Sequence, residues 1–339
     1  MTDPQGLDTG VVADWLAQQS PDAVSGPFDA RLITGGKSNL TYFVTDGTHD
    51  YVVRRPPLGH VLATAHDMAR EYRVMAALAP TDVPVPRMVA LCEDVEVIGA
   101  PFYVMERVDG TPYARASQLE ELGEQRTREI TGRMVDTLVA LHSVDHREVG
   151  LGEFGRPDGY IGRQVSRWKK QLAASTSREL PGMDELVAYL DANVPESGDG
   201  TIVHGDFRLD NLLVDDADQV TAVLDWEMST LGDPLSDVAL MLAYQQLGET
   251  VPAGAAVVTD APLAPGYLGR DEIIERYAAG SGRDVSDIGF HLSLAFFKLA
   301  VILEGIHFRH SQGQTVGTGF DGIGDMIVPL IDAGRAASR

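Results

Sequence analysis

The sequence predicts an α+β chain in two lobes, the first rich in strands and the second mainly helical. Three observations carry this. The 339 residues exceed what one hydrophobic core usually holds. From Phe28 to Val53 the residues alternate as strands broken by turns do, and two further strand-like runs follow before Val108. Beyond Asp109 the apolar residues recur three and four apart, the spacing of helices. The boundary between lobes is therefore placed at 108/109.

In chain order, Val11 to Gln19 reads as a short amphipathic helix with Val11, Val12, Trp15 and Leu16 on one face. FDARLI, TGGKSNLTYFVT and YVVRR read as strands broken by turns, with the turn DGTHD between the last two. The Gly35–Asn39 stretch (Gly35, Gly36, Lys37, Ser38, Asn39) has the make-up of a phosphate-covering loop or of an ordinary hairpin turn. It is neither a P-loop nor a G-x-G-x-x-G motif. A helix over His66–Leu78 puts Met68, Glu71, Met75 and Leu78 on one stripe. A carboxylate on an apolar stripe needs a partner. Arg54, which shares a strand face with Val52, is the candidate for Glu71. Val89–Leu91 and Pro101–Glu106 read as further strands.

In the second lobe, Ser117–Glu120 reads as a capping box. Helices are predicted over Gln125–His142, Tyr160–Leu172 and Asp184–Leu190. Asp233 and Pro234 suit the N-cap and first position of another, which runs through Asp237–Leu247. Gly248–Gly269 breaks the pattern and reads as a lid or an insertion. Helices over Gly289–His310 and Asp325–Ala333 complete the chain.

A formal net charge of −23 argues against a nucleic-acid partner, because phosphate binding needs clustered Lys and Arg. No apolar run approaches the length that spans a bilayer, so no membrane partner is expected. The N-terminus lacks the basic-then-apolar pattern of a secretory signal. Cys92 is the only cysteine, so neither an internal disulfide nor a Cys/His metal cluster is expected. These readings point to a cytoplasmic protein. The oligomeric state is not readable from the sequence.

Polar chemistry is densest between Thr201 and Asp237. Leu212–Val214 and Val220–Leu224 read as a hairpin around Asp215–Asp218. A hairpin brings its outer ends together, so Asp206, Asn211 and Asp225 are expected to converge. Oxygens from Asn211 and Asp225 suit Mg²⁺, a hard cation that takes few protein ligands and keeps water or phosphate oxygens. Asp206 is then left to orient and deprotonate a hydroxyl. His204 is expected to anchor the loop.

His204-Gly205-Asp206-Phe207-Arg208-Leu209-Asp210-Asn211 resembles the H-G-D-x-x-x-x-N catalytic loop of the aminoglycoside phosphotransferase (APH) family. Leu224-Asp225-Trp226-Glu227 resembles that family's I-D-W-E segment, and Gly232–Asp237 its G-D-P-x-x-D. The three occur in the family's order, and the resemblance extends over most of the chain. It implies a bilobal protein-kinase-like fold: a small antiparallel-sheet N-lobe with one helix, and a mainly helical C-lobe. It implies that Gly36, Lys37, Ser38 and Asn39 cover the nucleotide and that Arg54 and Glu71 form the phosphate-binding pair. The backbones of Glu106 and Val108 are implied to hold the adenine, Asp206 to be the base, Asn211 and Asp225 to bind Mg²⁺, and Asp237 to brace the catalytic loop. Arg54 stands where much of the family has Lys, which changes a point charge into a planar fork.

The stretch Tyr51–Met75 looks most like the branch found as kinase modules beside acyl-CoA dehydrogenases. The implied activity is transfer of the γ-phosphate of ATP or GTP to a hydroxyl of a small molecule. The alternatives are a catalytically silent nucleotide-binding regulator and a protein kinase. Retention of Asp206, Asn211 and Asp225 disfavours the first. The absence of an A-P-E segment and of an Arg beside Asp206 disfavours the second.

Overall fold

Five antiparallel strands, β1 (Asp29–Leu32), β2 (Leu40–Thr45), β3 (Asp50–Arg55), β4 (Met88–Cys92) and β5 (Phe102–Glu106), form one sheet in the order β1-β2-β3-β5-β4. The structure is a computed structural model and describes residues 3–33, 39–59, 67–176, 178–196, 198–250, 259–314, 320 and 322–338. Gly36, Lys37 and Ser38 lie outside these residues. The β2–β3 turn closes because Asp46 Oδ1 accepts from the N–H groups of Thr48 and His49, at 2.8 and 2.7 Å.

Side-chain alternation gives the sheet two apolar faces. Tyr42, Val44, Tyr51, Val53, Phe102 and Val104 pack with Val12 and Leu16 of helix α1 (Thr9–Gln19). Trp15 meets Phe102 edge-on at 4.8 Å. Val11 was expected on this face, but it is 38% exposed and Ala13 is buried instead. Helix α2 (Met68–Leu78) buries Met68, Glu71, Val74, Met75 and Leu78, and packs against β4 and β5. Asp67 caps it by accepting from Arg70 N–H at 3.0 Å. A one-turn helix, α3 (Val95–Ile98), precedes β5.

The chain divides into two compact units. The first is Met1–Gly110 with Thr221–Glu227, and the second is Thr111–Val220 with Met228–Arg339. The first unit thus holds the two anticipated helices, α1 and α2, and also α3, which was not anticipated. Thr221–Glu227 is bound to it by Val223 N–H on Pro84 O (2.8 Å) and Thr221 Oγ1 on Asp109 O (2.9 Å).

The second unit contains α4 (Ala116–Glu120), α5 (Glu124–Ser143), α6 (Tyr160–Ser175), α7 (Met183–Ala192), β6 (Thr201–Val203) and β7 (Leu212–Val214). Strand β8 (Val220–Val223) carries the chain back to the first unit. Then follow β9 (Thr230–Gly232), α8 (Leu235–Thr250), α9 (Arg270–Ser281), α10 (Ile288–Ser311) and α11 (Ile327–Ala337). Strands β6 and β9 pair antiparallel. Helix α10 is the hub, packing against α6, α7, α8 and α11. Its 24 residues are long and apolar enough to cross a bilayer by length and composition, which the sequence reading did not register. However, 78% of the apolar stretch is buried inside the unit, as expected of a helix apolar all round.

Three further expectations are corrected here. Ser117 does not cap α4; it lies in the first turn, and Gln118 Oε1 reaches back to the N–H groups of Ala114 and Arg115 (3.0 and 2.9 Å). Residues 259–269 are a packed part of the unit, not a lid. Ala261, Ala264 and Leu268 are buried, Asp260 Oδ1 accepts from Ala116 N–H at 2.9 Å, and Gln245 Nε2 donates to Leu268 O at 3.1 Å. Small side chains let that backbone approach closely, and so it reads as a breaker in the sequence. Residues 251–258 lie outside the described residues. Helix α9 was not anticipated, although Ile273 and Tyr277 on one face are buried.

Gly266 shows how close the approach is. Its φ is +86°, and a Cβ there would sit 2.1 Å from Glu124 O, which is backbone and cannot yield. We expect Gly266→Ala to destabilise the second unit by about 2 kcal/mol or more, read as a lowered urea midpoint. An unchanged midpoint would contradict the packing of this segment.

Candidate active site

In the first unit, register places Arg54 of β3 directly opposite Tyr103 of β5. Both side chains meet Glu71 of α2. Arg54 Nε lies 3.2 Å from Glu71 Oε2, and Tyr103 Oη donates to the same oxygen at 3.0 Å. Asn39 Nδ2 donates to Glu71 Oε1 at 3.2 Å. Arg54 Nη2 donates to Asp225 Oδ1 at 2.6 Å and lies 3.8 Å from Glu227 Oε2, which also accepts from Asn39 Nδ2 at 3.3 Å. One guanidinium thus faces three carboxylates. Two of them, Asp225 and Glu227, are partly exposed; the third, Glu71, is sealed at 1%.

Electrostatics follow from that imbalance. Burial pushes the Glu71 carboxyl up to about 7 against the pull of Arg54 and Tyr103, with Asp225 and Glu227 adding to the rise. Burial opposes the Arg54 charge, but Tyr103, Glu71 and Asp225 outweigh it and hold the guanidinium firmly protonated. Asp225 has φ +66°, a left-handed conformation that non-glycine residues adopt at a cost. Next to it, Trp226 Nε1 donates to Val223 O at 2.9 Å and fixes the turn.

At the end of β5, Glu106 N–H donates to Arg87 O (2.9 Å), and Arg107 N–H to Asp50 O (3.0 Å). Among the described residues, no backbone carbonyl accepts from Val108 N–H. The Glu106 carboxylate pairs with Arg87.

In the second unit, the loop after β6 is built around Asp237 of α8, which is 1% exposed. Its Oδ2 accepts from His204 N–H at 2.6 Å and its Oδ1 from Gly205 N–H at 2.7 Å. His142 Nε2 lies 3.2 Å from Oδ2, and His142 Nδ1 lies 2.8 Å from Tyr277 Oη. Burial alone would raise the Asp237 carboxyl; His142, His204 and the Gly205 N–H together hold it below the usual range. Gly205 has φ +84°, and a Cβ there would stand 2.8 Å from Met228 O, so this position needs glycine.

Asp206 follows. Its N–H donates to His204 Nδ1 at 3.2 Å, which leaves the imidazole proton on Nε2. Asn211 Nδ2 donates to Asp206 O at 2.9 Å and Oδ2 at 3.3 Å. Arg208 Nε is 3.4 Å from Asp206 Oδ1, and the guanidinium covers the Tyr244 ring at 4.7 Å. Burial raises the Tyr244 hydroxyl, and the Asp206 carboxylate beside it adds to the rise. Lys298 Nζ of α10 donates to Gly205 O at 3.3 Å.

The residues predicted from sequence therefore fall into two sets. Asn39, Arg54, Glu71 and Asp225 meet in the first unit, where Glu106 and Val108 also lie. Asp206, Asn211 and Asp237 meet in the second. Asn39 was expected on the nucleotide; its amide is engaged by Glu71 and Glu227. Sequence reasoning missed Tyr103, Glu227, His142 and Lys298. Lys298 carried a legible signal, being the one cation in the apolar run Leu292–Leu303. Tyr103 carried none, because its place opposite Arg54 depends on strand register.

The Glu71 shift has a signed consequence. A carboxyl raised in the folded state binds a proton that the unfolded chain has already lost, so stability falls as pH rises from about 4.5 to about 7. In EDTA, unfolding free energy should decline across that window by roughly 1–3 kcal/mol. Glu71→Gln should remove the decline; an equal decline in that variant would refute the assignment.

Comparisons with known proteins place the chain in a family. The model of the family described as "Phosphotransferase enzyme family" (APH) matches residues 29–273. The chain is 35% identical over 324 residues to acyl-CoA dehydrogenase family member 11 of Gallus gallus, covering 94% of this chain and 41% of that protein. It is 37% identical over 292 residues to family member 10 of Mus musculus, covering 86% and 27%. The chain thus spans 41% or less of the length of these curated relatives. A solved Ralstonia eutropha JMP134 structure, named after the aminoglycoside phosphotransferases, superposes with TM-score 0.85 at 34% identity over 98% of both chains. The aminoglycoside phosphotransferase APH(4)-Ia, solved with AMP-PNP and hygromycin B, shares the fold at TM-score 0.61 and 16% identity over 97% of both chains. The chain belongs to the APH phosphotransferase family and has its protein-kinase-like α+β fold.

Proposed function

We propose that the chain transfers the γ-phosphoryl group of ATP or GTP to a hydroxyl of a small molecule, with Asp206 as the base. The observation that carries this reading is the loop geometry. Asp237 holds the N–H groups of His204 and Gly205, and Asn211 holds both the carbonyl and the carboxylate of Asp206. A carboxylate fixed this way can take a hydroxyl proton without first reorganising. In the reaction the acceptor hydroxyl gives its proton to Asp206 and its oxygen bonds to the γ-phosphorus. The bond from that phosphorus to the β–γ bridging oxygen breaks, and the nucleoside diphosphate leaves.

Asn211 and Asp225 are the proposed Mg²⁺ ligands. The donor set fits a hard cation. With Nδ2 committed to Asp206, Asn211 keeps Oδ1 for a metal, and no described residue donates to it. Asp225 is 30% exposed and engages Arg54 through Oδ1, leaving Oδ2. Bound there, Mg²⁺ would neutralise charge on the phosphate oxygens. Arg54, held by Glu71, is proposed to bind phosphate, and Gly36, Lys37, Ser38 and Asn39 to cover the nucleotide. The Glu106 carbonyl and the Val108 N–H are proposed to hold its base.

Fold neighbours support a nucleotide donor, having been solved with AMP-PNP, ADP or GDP. Their names point to different acceptors, hygromycin B in one and macrolides in another. The relatives at 35–37% identity are acyl-CoA dehydrogenase family members. We therefore read the acceptor as a metabolite hydroxyl and not as an aminoglycoside by default.

A panel of hydroxylated metabolites with coupled ADP or GDP detection tests the activity. Asp206→Ala should lower turnover by about 10²–10⁴ while nucleotide affinity stays within about twofold. Turnover at the wild-type rate would overturn the base assignment. Asn211→Ala should raise the half-saturating Mg²⁺ concentration by about tenfold, a typical effect of losing one ligand. An unchanged titration would remove Asn211 from the metal site.

A further inference from the structure

Lys37, Lys169, Lys170 and Lys298 are the only lysines in this arginine-rich chain. Lys298 is the one set among apolar neighbours on α10. Its ammonium lies 5.8 Å from the Trp168 ring and borders a cavity of about 40 Å³ lined also by Tyr160, Gln164, Leu294 and Ala295. Burial depresses the Lys298 ammonium, and the Asp206 and Asp237 carboxylates offset part of that cost. An apolar side chain would pack here without the penalty but would lack a donor.

What the donor does is set by the peptide it touches. Gly205 O and Asp206 N–H belong to one planar group, the peptide that leads into Asp206. Lys298 Nζ holds its oxygen at 3.3 Å, and His204 Nδ1 holds its N–H at 3.2 Å. The preceding peptide is held through Gly205 N–H by Asp237. Glycine at φ +84° leaves the intervening backbone unusually free to rotate. Each side of the peptide therefore needs its own tether.

Taking Asp206 as the base, we infer that Lys298 is a positioning residue that locks the Gly205–Asp206 peptide against rotation and so sets where the Asp206 carboxylate points. It holds the peptide oxygen while His204 holds the N–H of the same peptide. One linear donor to one carbonyl is enough, so Arg can replace Lys here. The adjoining cavity has room for the larger head group.

The test uses Lys298→Met, which keeps the length and loses the donor, and Lys298→Arg, which keeps the donor. Hydrogen–deuterium exchange of the 203–208 amides is measured without ligand, alongside thermal melting. ADP release from MgATP is then measured with and without an acceptor from the metabolite panel. Lys298→Met should melt as wild type and exchange these amides about tenfold faster. It should lose about 10–100-fold in kcat with nucleotide KM within about twofold. Lys298→Arg should restore both. Wild-type exchange in Lys298→Met overturns the inference whatever the activity. So does an Arg variant as defective as the Met variant. Faster exchange in Lys298→Met, with no phosphoryl transfer by the wild type to any acceptor, would sustain the inference and defeat the phosphotransferase reading of the site.

Discussion

The second unit depends on one buried carboxylate. Asp237 is 1% exposed, so its charge is tolerable only because donors surround it. The His204 and Gly205 N–H groups and the His142 ring supply them. They come from two places in the chain. Asp237 rides on α8, His142 ends α5, the loop follows β6, and Tyr277 of α9 holds the far side of His142. Satisfying one anion therefore brings four elements into one arrangement, and the backbone that carries Asp206 is part of it. Removing a donor would leave a buried charge short of a partner.

The first unit solves a different electrostatic problem. Here charge is deliberately unbalanced, with one guanidinium among Glu71, Asp225 and Glu227. Tyr103 and Asn39 supply neutral donors to Glu71, so the buried carboxyl does not depend on Arg54 alone. Arg54 can therefore be shared between the helix α2 carboxyl and the Asp225 turn. The excess of negative charge is partly open to solvent at Asp225 and Glu227. The strained φ of Asp225 marks the turn as one held in place by its surroundings, here by the Trp226 and Val223 hydrogen bonds.

Much of this was legible before the structure. Strand alternation located all five strands of the sheet, and three-and-four spacing located most helices to within a few residues, because both signals are local and repeat along the chain. The misplacement of Glu71 on an apolar stripe pointed to Arg54, and the two meet at 3.2 Å. The α4 cap and residues 259–269 were misread where small or polar residues pack by close approach and not by an apolar stripe.

By itself, the sequence determined the class of fold and the polar residues that carry chemistry, since period and motif are properties of neighbouring residues. Only the tertiary structure decided which of those residues share a charge. Tyr103 faces Arg54 because β3 and β5 pair in one register out of several. His142 reaches Asp237, Tyr277 reaches His142 and Lys298 reaches the loop because their helices pack where they do. Register and packing are set by contacts between residues far apart in the chain, and their energy is the burial and hydrogen bonding realised only when the whole unit closes.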